Sequence, residues 1–332
     1  MPFDSDYAAL LYEYLSAHGF DPVEVLGEPL PQSESISAER WQAMLECAAR
    51  TCGEAAFGLR VGESFQLRHL GLIGYLLMSC ANSLEVLQRA QRFKVLISGV
   101  NPLHVYVESD QLVLSWPLLN GWCGQLQDEM GLATTVQLAR MLFGANEKLA
   151  RVDFVGATPD SLKPYQSFFN CEVRFEQAMP RLVLPLSHLS LPVLGADAGL
   201  CRLLDAQAEQ RLQQLMPVDA DMQQLRQQLL RLIRDGQPRL AALAACSGLS
   251  VRALQRRFTA RRSSFQMFLE NTRRHLSEQY LIDSRLSLSD IADLLGYADQ
   301  STFTRAFSQW KGCSPGAWRH LHAYATASRQ SP

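Results

Sequence analysis

Apolar residues recur along the first two thirds of the chain with two different periods. Helical spacing, with apolar positions three and four apart, covers roughly residues 5–18, 38–51, 83–98, 125–144 and 161–169. Hairpin-like alternation marks Leu103-His104-Val105-Tyr106-Val107 and Gln111-Leu112-Val113-Leu114-Ser115-Trp116, which flank Glu108-Ser109-Asp110 and predict a β-hairpin. Shorter strand candidates are Arg151–Val155, Cys171–Phe175 and Arg181–Leu184. This part is expected to be an α+β domain. Beyond it the strand signal disappears. Leu200, Leu203, Leu204, Leu212 and Leu215 keep helical spacing before Met216-Pro217-Val218-Asp219-Ala220-Asp221, and Leu225, Leu229, Leu232 and Ile233 keep it afterwards. Asp221 suits a helix N-cap, while Gly236 and Pro238 suit a stop. The expected organisation is therefore an N-terminal domain over 1–216, a linker over 217–222, an all-α domain over 223–324, and a polar tail over 325–332 that frays.

The all-α part contains a repeat. Ala244-x3-Gly248-x5-Leu254-x-Arg256-x-Phe258 is followed by Ala292-x3-Gly296-x6-Phe303-x-Arg305-x-Phe307, with the alanines 48 and the phenylalanines 49 residues apart. Each element suits a helix-turn-helix. A small alanine lets the second helix cross closely, and the glycine takes the left-handed backbone of a tight turn. The apolar residue and the Phe four positions later share one helix face, which leaves the intervening Arg on another. The two motifs are expected over about 239–259 and 287–310. Ser250 can cap one presented helix, and Ser287 with Asp290 has capping-box spacing. Between the motifs, Phe265, Phe268, Leu269, Leu276 and Tyr280 predict a long helix to about Asp283. At ~1.5 Å per residue such a strut is about 28 Å long, comparable to the roughly 34 Å of one B-DNA turn.

Charge sharpens this reading. The whole chain of 332 residues carries a formal net charge of −2. Residues 1–220 hold 15 Lys and Arg against 25 Asp and Glu, whereas 221–332 hold 16 against 8. All the C-terminal cations except Lys311 are arginines, whose planar fork suits phosphates and guanine edges. One helix-turn-helix pattern is weak by itself. Two copies, a strut of fitting length and a local excess of cations point together to double-stranded DNA.

Other classes lose support. No G-x-G-x-x-G, P-loop, H-E-x-x-H or G-x-S-x-G occurs, and the seven histidines are dispersed. The eight cysteines form no C-x-x-C pair and have no neighbouring His cluster, as expected of reduced thiols in a cytoplasmic protein with no metal site or cofactor. No apolar run is long enough to span a membrane, and the start lacks a signal-peptide pattern. An enzyme carrying a DNA-tethering module stays as a remote alternative.

The C-terminal segment resembles the DNA-binding domain of AraC/XylS-type bacterial transcription regulators. The resemblance rests on Ser287-Leu288-Ser289-Asp290-Ile291-Ala292-Asp293-Leu294-Leu295-Gly296-Tyr297, on Ser301 through Phe307, and on Gly312, Ser314, Pro315, Trp318 and Arg319. More loosely, Gly71-Leu72-Ile73-Gly74-Tyr75 and Ser83-Leu84-Glu85-Val86-Leu87 are similar to the effector domain of the ornithine-regulator-like branch, without the cupin pattern of an arabinose sensor. The resemblance implies an α+β effector-binding and dimerising domain followed by an all-α domain with two helix-turn-helix motifs joined by a long helix. It implies that Arg252, Gln255 and Arg256 in the first motif, and Gln300, Ser301, Thr304 and Arg305 in the second, face base edges. Arg can bond guanine, and Gln adenine, in bidentate fashion. Ser250, Arg261, Arg262, Lys311 and Arg319 are the phosphate candidates. Arg262 departs from the family, which commonly has glycine there; either that backbone is strained or the turn is built differently.

For the N-terminal domain the resemblance implies a homodimer, a small-molecule effector and contact with RNA polymerase. Arg68, His69, Tyr75, Trp116 and Trp122 could line a pocket or be plain core. The Leu200–Leu215 helix and the Leu132-Val136-Ala139-Phe143 stripe could each pack on a second copy or on the core. A ligand-free interaction module is the competing reading.

Overall fold

The computed structural model describes residues 5–31, 36–97, 101–119, 121–144, 148–215, 220–236, 238–261, 263–282, 286–311 and 313–319. The chain divides into two compact units, Met1–Gln214 and Leu215–Pro332.

The first unit begins with helices α1 (Ser5–Ala17), α2 (Pro22–Leu26), α3 (Ala38–Cys52), α4 (Phe57–Glu63), α5 (Gly71–Met78) and α6 (Ser83–Arg92). The hairpin β1 (His104–Glu108) and β2 (Gln111–Ser115) follows, then α7 (Gln125–Phe143), β3 (Arg151–Asp153), α8 (Lys163–Phe169), β4 (Glu172–Arg174), β5 (Arg181–Pro185) and α9 (Ala198–Leu215). The five strands form one sheet in the order β1-β2-β5-β3-β4, antiparallel except for the β3–β4 pair. The hairpin closes through Ser109 and Asp110 at φ 48° and 61°. Positive φ at both turn residues matches the twist of the flanking strands.

Two apolar clusters hold the helices. One gathers Leu10, Leu11 and Leu15 of α1 with Trp41 and Leu45 of α3 and Phe57 and Val61 of α4. The other gathers Ile73, Leu76 and Leu77 of α5 with Val86 and Ala90 of α6, Leu142 of α7 and Ala208 of α9. Helix α4 lies close against α7 because it offers glycine at the crossing: a Cβ on Gly62 would sit 2.6 Å from the Ala133 methyl. Leu132 and Val136 are buried, so this part of the α7 stripe serves the core. Helix α9 buries Cys201 and Ala208 but leaves Leu200 and Leu203 exposed, the latter at 67%.

Some elements differ from the periodicity. The pattern over 83–98 is not one helix: α6 ends at Arg92, Phe93 turns into the core, and a 3-10 turn follows at Lys94–Leu96. Helices α2, α4 and α5 had no clear period. The second unit is helical throughout its described residues: α10 (Ala220–Arg234), α11 (Leu240–Cys246), α12 (Val251–Ala260), α13 (Phe265–Ile282), α14 (Leu288–Leu294) and α15 (Gln300–Lys311), with a last helical turn over 315–319. Of the expected linker, residues 217–219 lie outside the described residues, while 220–222 already belong to α10, so the helix starts before Asp221 and places it in the first turn rather than at the N-cap. The 325–332 tail lies outside the described residues.

Candidate nucleic-acid interface

Helices α11–α12 and α14–α15 are built by the same local rules. Ala244 and Ala292 are buried, at 2% and 0% exposure, as a small residue under a close helix crossing should be. Gly248 and Gly296 turn the chain at φ 65° and 70°. Immediately after each glycine a backbone N–H returns to the buried alanine: Leu249 N–H to Ala244 O and Tyr297 N–H to Ala292 O, both at 2.9 Å. An L-residue at either glycine would meet the steric penalty of left-handed backbone.

The presented helices then start on side-chain caps. Ser250 Oγ accepts from Ala253 N–H at 3.2 Å, and Asp299 Oδ1 accepts from Thr302 N–H at 2.7 Å. The Thr302 backbone bond, with its hydroxyl, holds the Asp299 carboxyl below its ordinary range, and nearby Arg305 acts in the same direction. The preceding helix α14 carries a complete capping box between Ser287 and Asp290.

Burial fixes the rotation of both helices. Leu254 and Phe258 anchor α12, and Phe303 and Phe307 anchor α15; none is more than 2% exposed. Phe258 packs on Phe268 of α13 with ring centroids 5.4 Å apart, while Phe307 meets Trp318 edge-on at 6.0 Å. With those anchors inward, Arg252, Gln255 and Arg256 are exposed on α12; Gln300, Ser301 and Arg305 are exposed on α15, and Thr304 is half-buried. No carboxylate among the described residues pairs with Arg252 or Arg256, and Arg305 makes only a long 3.5 Å contact to Thr302 Oγ1.

The phosphate candidates are placed less uniformly. Ser250 uses its oxygen as a cap, which leaves its O–H able to donate. Arg261 is exposed and donates to Arg257 O at 3.2 Å. Lys311 reaches Glu278 of α13 at 2.5 Å. Arg319 is half-buried, with Nε and Nη2 shielded from water and without hydrogen-bond partners among the described residues. Arg262 lies outside the described residues.

A residue without a sequence signal ties this unit together. Arg273, on α13, donates from Nε to Leu295 O and from Nη2 to Gly296 O, both at 2.8 Å, and lies over the Tyr297 ring at 4.7 Å. It clamps the turn of the second motif to the strut. Its role depends on tertiary position, which helical spacing alone does not encode.

In the N-terminal unit the five pocket candidates separate. His69 is 2% exposed and both its ring nitrogens are engaged: Nδ1 accepts from Gln66 N–H at 3.0 Å, and Nε2 meets Glu13 Oε2 at 3.0 Å. Burial lowers its pKa, with the Glu13 contact opposing. Arg68 binds the same carboxylate at 2.6 Å, and Tyr75 is half-exposed. Trp122 instead donates its indole N–H to Asp128 at 2.8 Å, while Trp116 is half-buried. Among the described residues no hydrogen bond, ion pair or ring contact joins either tryptophan to the Arg68–His69–Tyr75 group. Glu13 and Asp128, which organise these two places, carried no sequence signal.

Comparison with known proteins supplies a context for both units. Residues 19–193 match the family model described as the arabinose-binding domain of AraC transcription regulators, N-terminal, and residues 243–320 match a helix-turn-helix domain. The ornithine utilization regulator of Pseudomonas aeruginosa is 28% identical over 325 residues, covering 94% of this chain and 95% of that protein. The HTH-type transcriptional regulator VirS of Mycobacterium tuberculosis is 26% identical over 288 residues, covering 83% of this chain and 82% of VirS. The crystal structure of the transcriptional regulator CdpR from Pseudomonas aeruginosa aligns over 96% of this chain and 99% of that one, at 21% identity and a TM-score of 0.48.

Proposed function

Because the chain belongs to the AraC family of transcriptional regulators, we propose that it is a homodimeric, effector-responsive regulator reading promoter DNA through both helix-turn-helix motifs of each chain. The single observation that carries this reading is the matched pair of presented helices, each anchored by buried apolar residues and displaying arginine on another face. Arg252, Gln255, Arg256, Gln300, Ser301, Thr304 and Arg305 contact base edges; Ser250, Arg261 and Lys311 contact phosphates and set the register. Lys311 exchanges its Glu278 partner for a phosphate oxygen when DNA binds.

The exposed Leu200 and Leu203 of α9, together with Leu194 at 69% exposure, favour this helix as the contact between two copies. Regulation then follows from RNA polymerase recruited or blocked at the occupied promoter. The relative named for ornithine utilization makes ornithine and other small amino acids the first effectors to test, by a shift in the melting temperature of the full chain. No helix among the described residues is long and apolar enough to cross a membrane.

Gel-shift titration at two salt concentrations tests the assignment of roles. Arg256→Ala or Arg305→Ala is expected to cost about 1–3 kcal/mol on the specific site and to relax selectivity there. Arg261→Ala or Lys311→Ala is expected to weaken specific and random DNA alike and to flatten the salt dependence. Equal losses on both DNAs for Arg305→Ala refute its base-reading role.

A further inference from the structure

The turn from α5 into α6 and the start of α9, more than a hundred residues on, bring two thiols and a carboxylate to one point in the N-terminal unit. Cys80 follows α5, Glu85 lies in the first turn of α6, and Cys201 lies in the first turn of α9. Their ligand atoms, two Sγ and one carboxylate oxygen, all lie within 4.8 Å of one another. The thiols are 0% and 5% exposed and neither is in a disulfide. Glu85 opens the cluster on one side, its side chain 31% exposed. No other group of three His, Cys, Asp or Glu side chains converges in this way among the described residues. Primary sequence hid the cluster, since the three positions show no ligand spacing.

An ion pair network orients the carboxylate. Arg89 Nη1 donates to Glu85 Oε2 at 3.0 Å, while its Nε and Nη2 grip Asp205 at 2.8–3.1 Å. Among the described residues, the one side-chain hydrogen bond to Glu85 is that of Arg89 to Oε2. Asp205 is held by Arg89 and is not one of the three converging groups.

We propose that Cys80, Cys201 and Glu85 form a binding site for a thiophilic divalent cation of the zinc class, with Arg89 as the positioning residue that holds Glu85. Two thiolates and one carboxylate are a donor set that borderline-soft dications accept, with a fourth position left for water. Zinc–sulfur bonds of about 2.3 Å in a tetrahedron place the two sulfurs roughly 3.8 Å apart. The separation present is at most about an ångström wider, which side-chain rotation can close. Charge also balances. Each thiol loses its proton on coordination, so two protons leave as one dication enters, and Arg89 meets no added local charge. Because a thiol must shed its proton to bind, metal affinity rises with pH. Asp205 and Cys201 both lie on α9, the helix from which the chain passes to the DNA-binding unit.

The test is a zinc(II) titration of the reduced full-length chain against a chromophoric chelator, with cobalt(II) as a spectroscopic substitute. The expected result is one zinc per chain, release of two protons, and a thiolate-to-cobalt charge-transfer band. Cys80→Ser and Cys201→Ser should each remove that band, and Arg89→Gln should weaken binding about 10–100-fold while leaving the band in place. Should a serine variant fail to fold, alkylation of the wild-type chain with and without zinc, in denaturant just short of unfolding where buried thiols open, decides: zinc should slow the labelling of Cys80 and Cys201 selectively among the eight cysteines. The proposal is overturned by a reduced chain that retains no zinc, by a cobalt spectrum without thiolate absorption, or by zinc shielding other cysteines instead. It is equally overturned by a Cys80–Cys201 disulfide forming in air while the reduced pair ignores metal.

Discussion

Burial decides the protonation of single side chains in the N-terminal unit, and it acts in opposite directions on acids and bases. Asp128 is pushed from its ordinary 3.8 up to about 7 by burial, with the Trp122 indole N–H opposing and neighbouring Glu129 assisting. The folded chain therefore holds this proton more tightly than the unfolded chain. The stabilisation is complete below the unfolded value and is lost as pH climbs toward about 7. Asp128→Asn keeps an acceptor for Trp122 and has no charge to desolvate. Its melting temperature should match wild type near pH 4 and exceed it by a few degrees at pH 8, read by calorimetry across a pH series. A difference that stays constant with pH contradicts this account of Asp128. His69 works the other way: its folded pKa is lowered, so the unfolded chain gains the proton first as pH falls below 6.5, and stability declines on the acid side.

At the scale of elements, the decisive contact is the Arg273 clamp between the strut α13 and the turn that carries Gly296 and Tyr297. Hydrogen bonds from a charged donor contribute about 1.5–3 kcal/mol each, and two acting together on one turn do not add in full. Arg273→Ala is expected to lower the unfolding free energy by about 2–3 kcal/mol in a denaturant melt and to weaken specific DNA binding, although Arg273 is not among the residues proposed to read bases. An unchanged denaturant midpoint contradicts the clamp. The same comparison shows which elements announce themselves in sequence. The hairpin was legible because two short apolar runs flank a polar Glu108-Ser109-Asp110 turn, although burial along the strands is nearly continuous rather than alternating. The two helix-turn-helix units were legible because Ala, Gly and Phe recur at fixed spacing, and those residues set the crossing, the turn and the rotation of the presented helix. Helix α5, Gly71-Leu72-Ile73-Gly74-Tyr75-Leu76-Leu77-Met78, is apolar nearly all round and so has no amphipathic period to detect. Helix α2 has only five residues. The end of α6 is set by Phe93 turning inward, a tertiary event. For the same reason neither the Arg273 clamp nor the Cys80–Glu85–Cys201 cluster could be read from spacing: each joins elements whose approach is fixed only by the fold.

The whole molecule combines an acidic N-terminal unit with a cationic, arginine-rich C-terminal unit. That asymmetry draws one end of the chain to a polyanion and spares the other. Within the C-terminal unit, α13 has 18 residues, about 27 Å at ~1.5 Å per residue, and packs against both motifs. A stiff helix of that length suits two presented helices entering successive major-groove segments, whose centres lie roughly 34 Å apart. The most direct test is base-interference footprinting of the full-length chain on an operator selected from random DNA, run beside Arg256→Ala and Arg305→Ala. Two patches of base contact per chain are expected, about 10 base pairs apart, with Arg256→Ala erasing contacts in one and Arg305→Ala in the other. A single patch, or two patches left intact by both substitutions, contradicts the central claim.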